Sequence, residues 1–230
     1  MNAEAENMLT RFRAQRLIPV FYHADVERSV SILTACYRAG LTVFEYTNRG
    51  PYALVNFRLL KAATQTLPKL RLGIGTIFSL RDAEAFVDAG ADFIVSPALI
   101  PEMAEVQQNY NIPWIPGCAT VSEVAQAQAL GARLIKIYPA DQLGPAFIRS
   151  LKTVLPDVWL MPTGGIAADT VELDRWFRAG AACVGLGSQL FSSELIAPAN
   201  ENQLFQKLQE LAKWANQPHL LYGRTSGSSK

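Results

Sequence analysis

Two charged residues stand inside stretches that are otherwise apolar. Lys136 lies in RLIKIYP, and Glu45 lies in TVFEYTNRG. If both stretches are strands, side chains alternate between faces. Lys136 then shares a face with Leu134 and Tyr138, and Glu45 shares one with Val43. A buried lysine is costly unless it is paired or functional. Burial disfavours the charged form of an amine, and a neutral amine is what Schiff-base chemistry requires. A carboxylate facing the same space adds a group that can move protons. The alternative for the pair is a structural salt bridge, and the two readings are compatible.

Arg49 follows Glu45 by four residues in the adjoining loop, where a guanidinium can grip a carboxylate or phosphate in two-pronged fashion, though a lone loop arginine is also simply a solvated one. Two glycine-rich turns offer a second kind of chemistry. PTGGI (162–166) contributes Gly164 and Gly165, and GLGSQL (185–190) contributes Gly187 and Ser188. Backbone N–H groups of such turns, and helix N-termini, bind anions. Thr76, at the end of GIGTI, offers a hydroxyl and backbone to a substrate carboxylate. Pro97 and the Pro116–Gly117 pair close two further strands, where prolines also serve plain turn chemistry.

These residues need a frame. Eight apolar runs read as strands: 17–22, 42–46, 72–76, 92–96, 113–117, 133–138, 158–163 and 182–187. Most are apolar throughout, as parallel strands covered on both faces are. Amphipathic segments lie between them, such as 25–40, with Val26, Val30, Leu33 and Tyr37 at helical spacing and Asp25 as N-cap. Four segments end on Gly40, Gly90, Gly131 and Gly180, where glycine can close a helix before the next strand. Eight strand–helix units predict an α/β fold, a closed (β/α)₈ TIM barrel. No G-x-G-x-x-G follows the first strand, which disfavours an open dinucleotide-binding sheet. An extra helix is predicted at 4–14 and another at 200–216, with Leu204, Leu208, Leu211 and Trp214 on its apolar face. Residues 1–216 are read as one domain and 217–230 as a flexible tail. In such barrels chemistry gathers at the C-terminal ends of the strands, and phosphate at the loops after strands seven and eight. That is where Lys136, Glu45 and the two glycine turns fall.

Composition narrows the rest. In 230 residues, 21 Lys and Arg balance 20 Asp and Glu, so no basic surface for nucleic acid is expected. No apolar run is long enough for a membrane helix, and the polar start MNAEAENMLTRFRAQR does not read as a signal peptide. Three widely spaced cysteines (Cys36, Cys118, Cys183) suggest buried thiols in a cytoplasmic, reducing compartment. With only His23 and His219, a dedicated zinc site is not expected, and no metal or cofactor is assigned.

Several of these segments carry a resemblance. GLTVFEYTNR (40–49) resembles the first active-site signature of the 2-keto-3-deoxy-6-phosphogluconate / 4-hydroxy-2-oxoglutarate aldolases, and GARLIKIYPADQLG (131–144) resembles the second, around a Schiff-base lysine. GIGTI, SPALIP, IPGCATVSE, PTGGI and VGLGSQLF are similar to further segments of that family, in the same order, and the likeness spans about residues 14–195. It implies a metal-free class I aldolase on a (β/α)₈ barrel, assembled as a homotrimer and acting on a small keto acid, phosphorylated in the main reading. It also implies roles. Lys136 would form the imine, Glu45 would move protons through a water, and Arg49 would hold anionic groups. Thr76 would bind the carboxylate side near the imine, and Thr163, Gly164, Gly165 and Ser188 would line the distal or phosphate end; Pro97, Tyr138 and Gly187 complete the substrate-binding set.

The chain departs from the family pattern at Tyr138, where Phe is common, at Ile137, and across Tyr46–Thr47–Asn48–Arg49. These departures bear on substrate choice. Three other functions stay open: the same cleavage of 4-hydroxy-2-oxoglutarate or a related acid, a non-lyase phosphate-binding barrel enzyme with Lys136 as an ion-pair partner, and a non-catalytic keto-acid-binding protein.

Overall fold

The computed structural model describes residues 3–217. Helix α1 (Ala3–Gln15) precedes strand β1 (Leu17–Phe21), and then strands and helices alternate. They are α2 (Val26–Arg38), β2 (Val43–Thr47), α3 (Ala53–Ala63), β3 (Arg71–Gly75), α4 (Leu80–Asp88) and β4 (Ile94–Val95). Next come α5 (Ala104–Tyr110), β5 (Trp114–Ile115), β6 (Gly117–Cys118), α6 (Val121–Ala129) and β7 (Leu134–Ile137). The chain continues with α7 (Ala140–Val154), β8 (Trp159–Pro162), α8 (Thr170–Ala179), β9 (Val184–Leu186) and α9 (Glu201–Ala215). The expected tail, beyond Gln217, and His219 lie outside the described residues. No helix among the described residues is long and apolar enough to cross a membrane.

All strand pairs are parallel, in two sheets: β5-β4-β3-β2-β1-β9 and β6-β7-β8. At one seam Ala182 N donates to Leu160 O at 2.8 Å, and Thr163 bridges to Gly185. At the other, the run expected as one strand over 113–117 is split at Pro116 into β5 and β6. Proline has no N–H to give a ladder, while its carbonyl accepts from Lys136 N at 2.9 Å. The fold is thus α/β on parallel sheets, in two hydrogen-bonded sets.

The helices begin and end where local chemistry dictates. Asp25, Ser79, Thr120 and Asp169 cap α2, α4, α6 and α8 through side-chain oxygens that accept from first-turn N–H groups. Gly40, Gly90, Gly131 and Gly180 all have positive φ. α7 is interrupted at Gly144 (φ 72°, ψ 165°), just before Pro145.

Two apolar clusters hold the layers. One joins the outer strand faces to the helices and includes Phe44, Phe57, Trp114 and Trp176. Trp114 donates from Nε1 to Ser96 Oγ at 2.6 Å. Phe57 and Trp114 are core, whereas Leu59 is 48% exposed. α9 lays Leu204, Leu208 and Leu211 on this cluster. The other cluster is internal: Ile18, Val43, Phe93, Val95, Ile115, Leu134, Met161 and Cys183 from the strands and the residues just before them, closed from one end by Met8, Leu9 and Phe12 of α1. Phe12 meets Phe93 edge-on, ring centroids 4.8 Å apart. Phe93 in turn fills the room left by Gly73, whose Cβ would lie 2.3 Å from the ring. Burying each such side chain is worth about 1.5–3 kcal/mol. This internal cluster is the floor of the site.

Candidate active site

The alternation that puts Leu134 and Val43 in the internal cluster puts Lys136 and Glu45 one layer above it, toward the C-terminal ends of β7 and β2. Lys136 Nζ and Glu45 Oε1 are 3.7 Å apart, with Glu45 fully buried and Lys136 5% exposed. Neither carboxylate oxygen of Glu45 has a hydrogen-bond partner among the described residues. Charge in such a place is disfavoured. Burial therefore holds the Glu45 carboxyl above the usual carboxylate range, with Lys136 and then Arg49 pulling against it.

The pair opens into a cavity of about 460 Å³. Of the residues singled out by sequence, Arg49, Thr76, Tyr138, Thr163, Gly164, Gly165, Gly187 and Ser188 line it with Lys136 and Glu45. Pro97 does not. Its backbone lies against Gly117, where a Cβ would come within 2.4 Å of the Pro97 carbonyl.

Each lining residue is set by its backbone. Thr76 has φ +62°, a left-handed conformation that β-branched residues rarely take. Such strain gathers at functional sites. Gly164 and Gly165 have φ of +102° and +71°, and their turn is tied to the start of α7 by Ala140 N donating to Thr163 O and Asp141 N to Gly164 O. No backbone carbonyl among the described residues accepts from the N–H groups of Gly164, Gly165 or Ser188. The next helix, α8, adds nothing to an anion site there, since Asp169 takes the N–H groups of Val171 and Glu172. The turns alone face the cavity.

Tyr138 spans the two ends. Its ring centroid is 5.4 Å from Lys136 Nζ, and a Cβ on Gly164 would come within 3.1 Å of its Cε2. Of the other departures, Tyr46 points away from the cavity: it is fully buried and donates from its hydroxyl to His23 O at 2.9 Å. Ile137 belongs to the outer cluster, too.

Several lining residues escaped the sequence reading. Thr47, 3% exposed, faces the cavity, and its position two residues beyond Glu45 was a usable signal. Tyr22 closes the run 17–22 expected as a strand, one residue past the end of β1, while Gln189, Phe191 and Ile196 lie in a connection whose course no periodicity reports. A second cavity, of about 260 Å³, lies at the opposite ends of the strands beside α1. Its Asp92 is paired with Lys61 at 2.8 Å, and it brings no amine and unpaired carboxylate together.

Comparison with known proteins agrees in direction. A family model described as KDPG and KHG aldolase matches residues 8–207. The 2-dehydro-3-deoxy-phosphogluconate aldolase of Treponema pallidum is 33% identical over 205 residues, covering 86% of this chain and 93% of that protein. The Pseudomonas aeruginosa protein of the same name is 32% identical over 180 residues, 76% and 79% of the two chains. A crystal structure of KDPG aldolase from Legionella pneumophila, with pyruvate captured as a covalent carbinolamine, is 30% identical, with a TM-score of 0.79 over 87% of this chain and 96% of that one.

Proposed function

Because the chain belongs to the KDPG and KHG aldolase family, we propose that it cleaves 2-keto-3-deoxy-6-phosphogluconate to pyruvate and glyceraldehyde 3-phosphate through an imine on Lys136. It is a lyase. The observation that carries the assignment of roles is the buried Lys136–Glu45 pair, 3.7 Å apart, opening into a cavity whose lining includes two glycine turns.

In this reading Lys136 Nζ adds to C2 of the keto acid, giving a carbinolamine that loses water to become a protonated imine. Glu45 accepts and returns the protons of these steps, through a water. The cationic nitrogen then receives the electron pair of the C3–C4 bond while the C4 hydroxyl gives up its proton. The aldehyde departs, and an enamine stays on Lys136. Protonation at C3 and addition of water release pyruvate and restore the amine. A carboxyl held above the usual range by burial suits such work, since it holds a proton more readily than an ordinary carboxylate does. The Tyr138 ring, 5.4 Å from Nζ, faces the nitrogen that carries the positive charge of the protonated imine. Thr76 and Arg49 would receive the carboxylate side and other anionic groups. The free N–H groups of Gly164, Gly165 and Ser188, with Thr163 and Gly187 around them, would receive the phosphate.

The same reading extends to the whole molecule. The eight strand–helix units close into one (β/α)₈ barrel. The shared internal cluster and the Thr163–Gly185 bridge across the seam support closure. Residues 1–216 form one domain. The chain assembles as a homotrimer, for which Tyr52 at the N-cap of α3, Val55 and Leu59 on α3, and Phe78 supply exposed apolar surface. Three free, buried cysteines suit the cytoplasm. The reading is tested by measuring pyruvate release from 2-keto-3-deoxy-6-phosphogluconate and 4-hydroxy-2-oxoglutarate side by side. A higher kcat/KM on the phosphorylated acid is expected; equal or reversed preference would move the assignment to the second substrate, and no release from either would reject both.

A further inference from the structure

Among the described residues nothing hydrogen-bonds the Glu45 carboxyl to fix it over Lys136. What fixes it is shape. Gly75 ends β3, the strand paired to β2, with Thr47 as its register partner. A Cβ on Gly75 would lie 1.8 Å from Glu45 Oε1, 2.6 Å from Cδ and 3.0 Å from Cγ. The carboxyl therefore occupies the room a side chain at position 75 would take. Nothing in the backbone requires glycine here: Gly75 is not among the residues with positive φ, unlike Gly164 and Gly165. The same device recurs at Gly185, whose Cβ would lie 2.4 Å from Thr163 Oγ1.

We propose that Gly75 is a positioning residue of the active site, whose missing side chain is the seat that holds the Glu45 carboxyl against Lys136. This rests on Glu45 being the proton carrier. A methyl group at position 75 expels the carboxyl from its seat, so Glu45 no longer faces the amine, although both reacting residues are still present.

The test compares wild type, Gly75→Ala, Glu45→Ala and the double variant in three readouts: cleavage rate, deuterium exchange at the methyl group of pyruvate, and borohydride trapping of pyruvate on Lys136. Gly75→Ala is expected to slow cleavage and exchange about 100-fold or more, on the scale of a lost general acid–base group. The double variant should be no slower than Glu45→Ala alone, because both changes remove one function. A Gly75→Ala enzyme within threefold of wild type, or a double variant slowed by the product of the two single effects, would overturn the proposal. If Gly75→Ala fails to fold, a folded double variant supports the clash with Glu45, and an unfolded one overturns it. Absence of a trapped adduct in wild type would instead reject the aldolase reading itself, and the proposal with it.

Discussion

The Nζ of Lys136 and the Oε1 of Glu45 lie 3.7 Å apart on two strands that are not neighbours, both over an apolar floor. Removing either partner of a buried pair leaves an uncompensated charge. Taking both groups out of water is costly, and the consequences of holding them there can be measured.

Glu45→Gln keeps shape and removes the exchangeable proton. It is expected to lower kcat by about 10²–10⁴-fold, the range of general acid–base catalysis. Pyruvate should still be trapped on Lys136, more slowly. Steady-state kinetics and trapping on one preparation check this.

Proton linkage gives a second test. The folded Glu45 carboxyl is held above its ordinary value, first by burial. Its contribution to stability is therefore fully present below the ordinary carboxylate range and is lost as pH rises from that range through the raised value. Glu45→Gln has no such loss. The Tm of the variant relative to wild type should climb across this window and then level off. Since the Arg49 charge lowers the Glu45 value, Arg49→Gln should carry the window to higher pH. A Tm difference that falls with rising pH would contradict the assignment.

The phosphate end is tested at Gly165. Its φ is +71°, and a Cβ there would lie 2.4 Å from Asp141 Cγ. Gly165→Ala must distort the turn. Losing one charge-assisted hydrogen bond costs about 1.5–3 kcal/mol, which is roughly a 10–100-fold rise in KM. The rise should appear with 2-keto-3-deoxy-6-phosphogluconate and be much smaller with 4-hydroxy-2-oxoglutarate.

Tyr138→Phe removes a hydroxyl and leaves the ring beside Lys136 and Gly164. Deuterium exchange into pyruvate should be unchanged. Cleavage of the longer substrate should weaken about 2–10-fold in kcat/KM, the worth of one neutral hydrogen bond.

Much of this was legible in the sequence because charge inside apolar strands is conspicuous. Lys136 and Glu45 stand out for that reason, and alternation fixed the face each shares with Leu134 or Val43. The helix ends were legible from single residues, as at Asp25 and Gly180. Pro116 was less readable: its missing N–H divides one expected strand into two sheets. Pro97 is not among the residues lining the cavity, and the close approach of its backbone to Gly117 is a contact between strand ends that no period encodes. The role of Gly75 could not be read at all, since GIGTI is an ordinary strand end until the Glu45 carboxyl is seen in the space beside it. Loop residues such as Gln189 and Ile196 reach the cavity by paths that no period encodes.

The central claim is that Lys136 is the amine that bonds to substrate. Borohydride reduction in the presence of pyruvate, followed by peptide mass spectrometry, tests it most directly. A stable pyruvate adduct on Lys136, absent without borohydride and absent in Lys136→Met, is the expected result. Pyruvate-dependent turnover with no adduct at Lys136, or an adduct on another lysine, would contradict it.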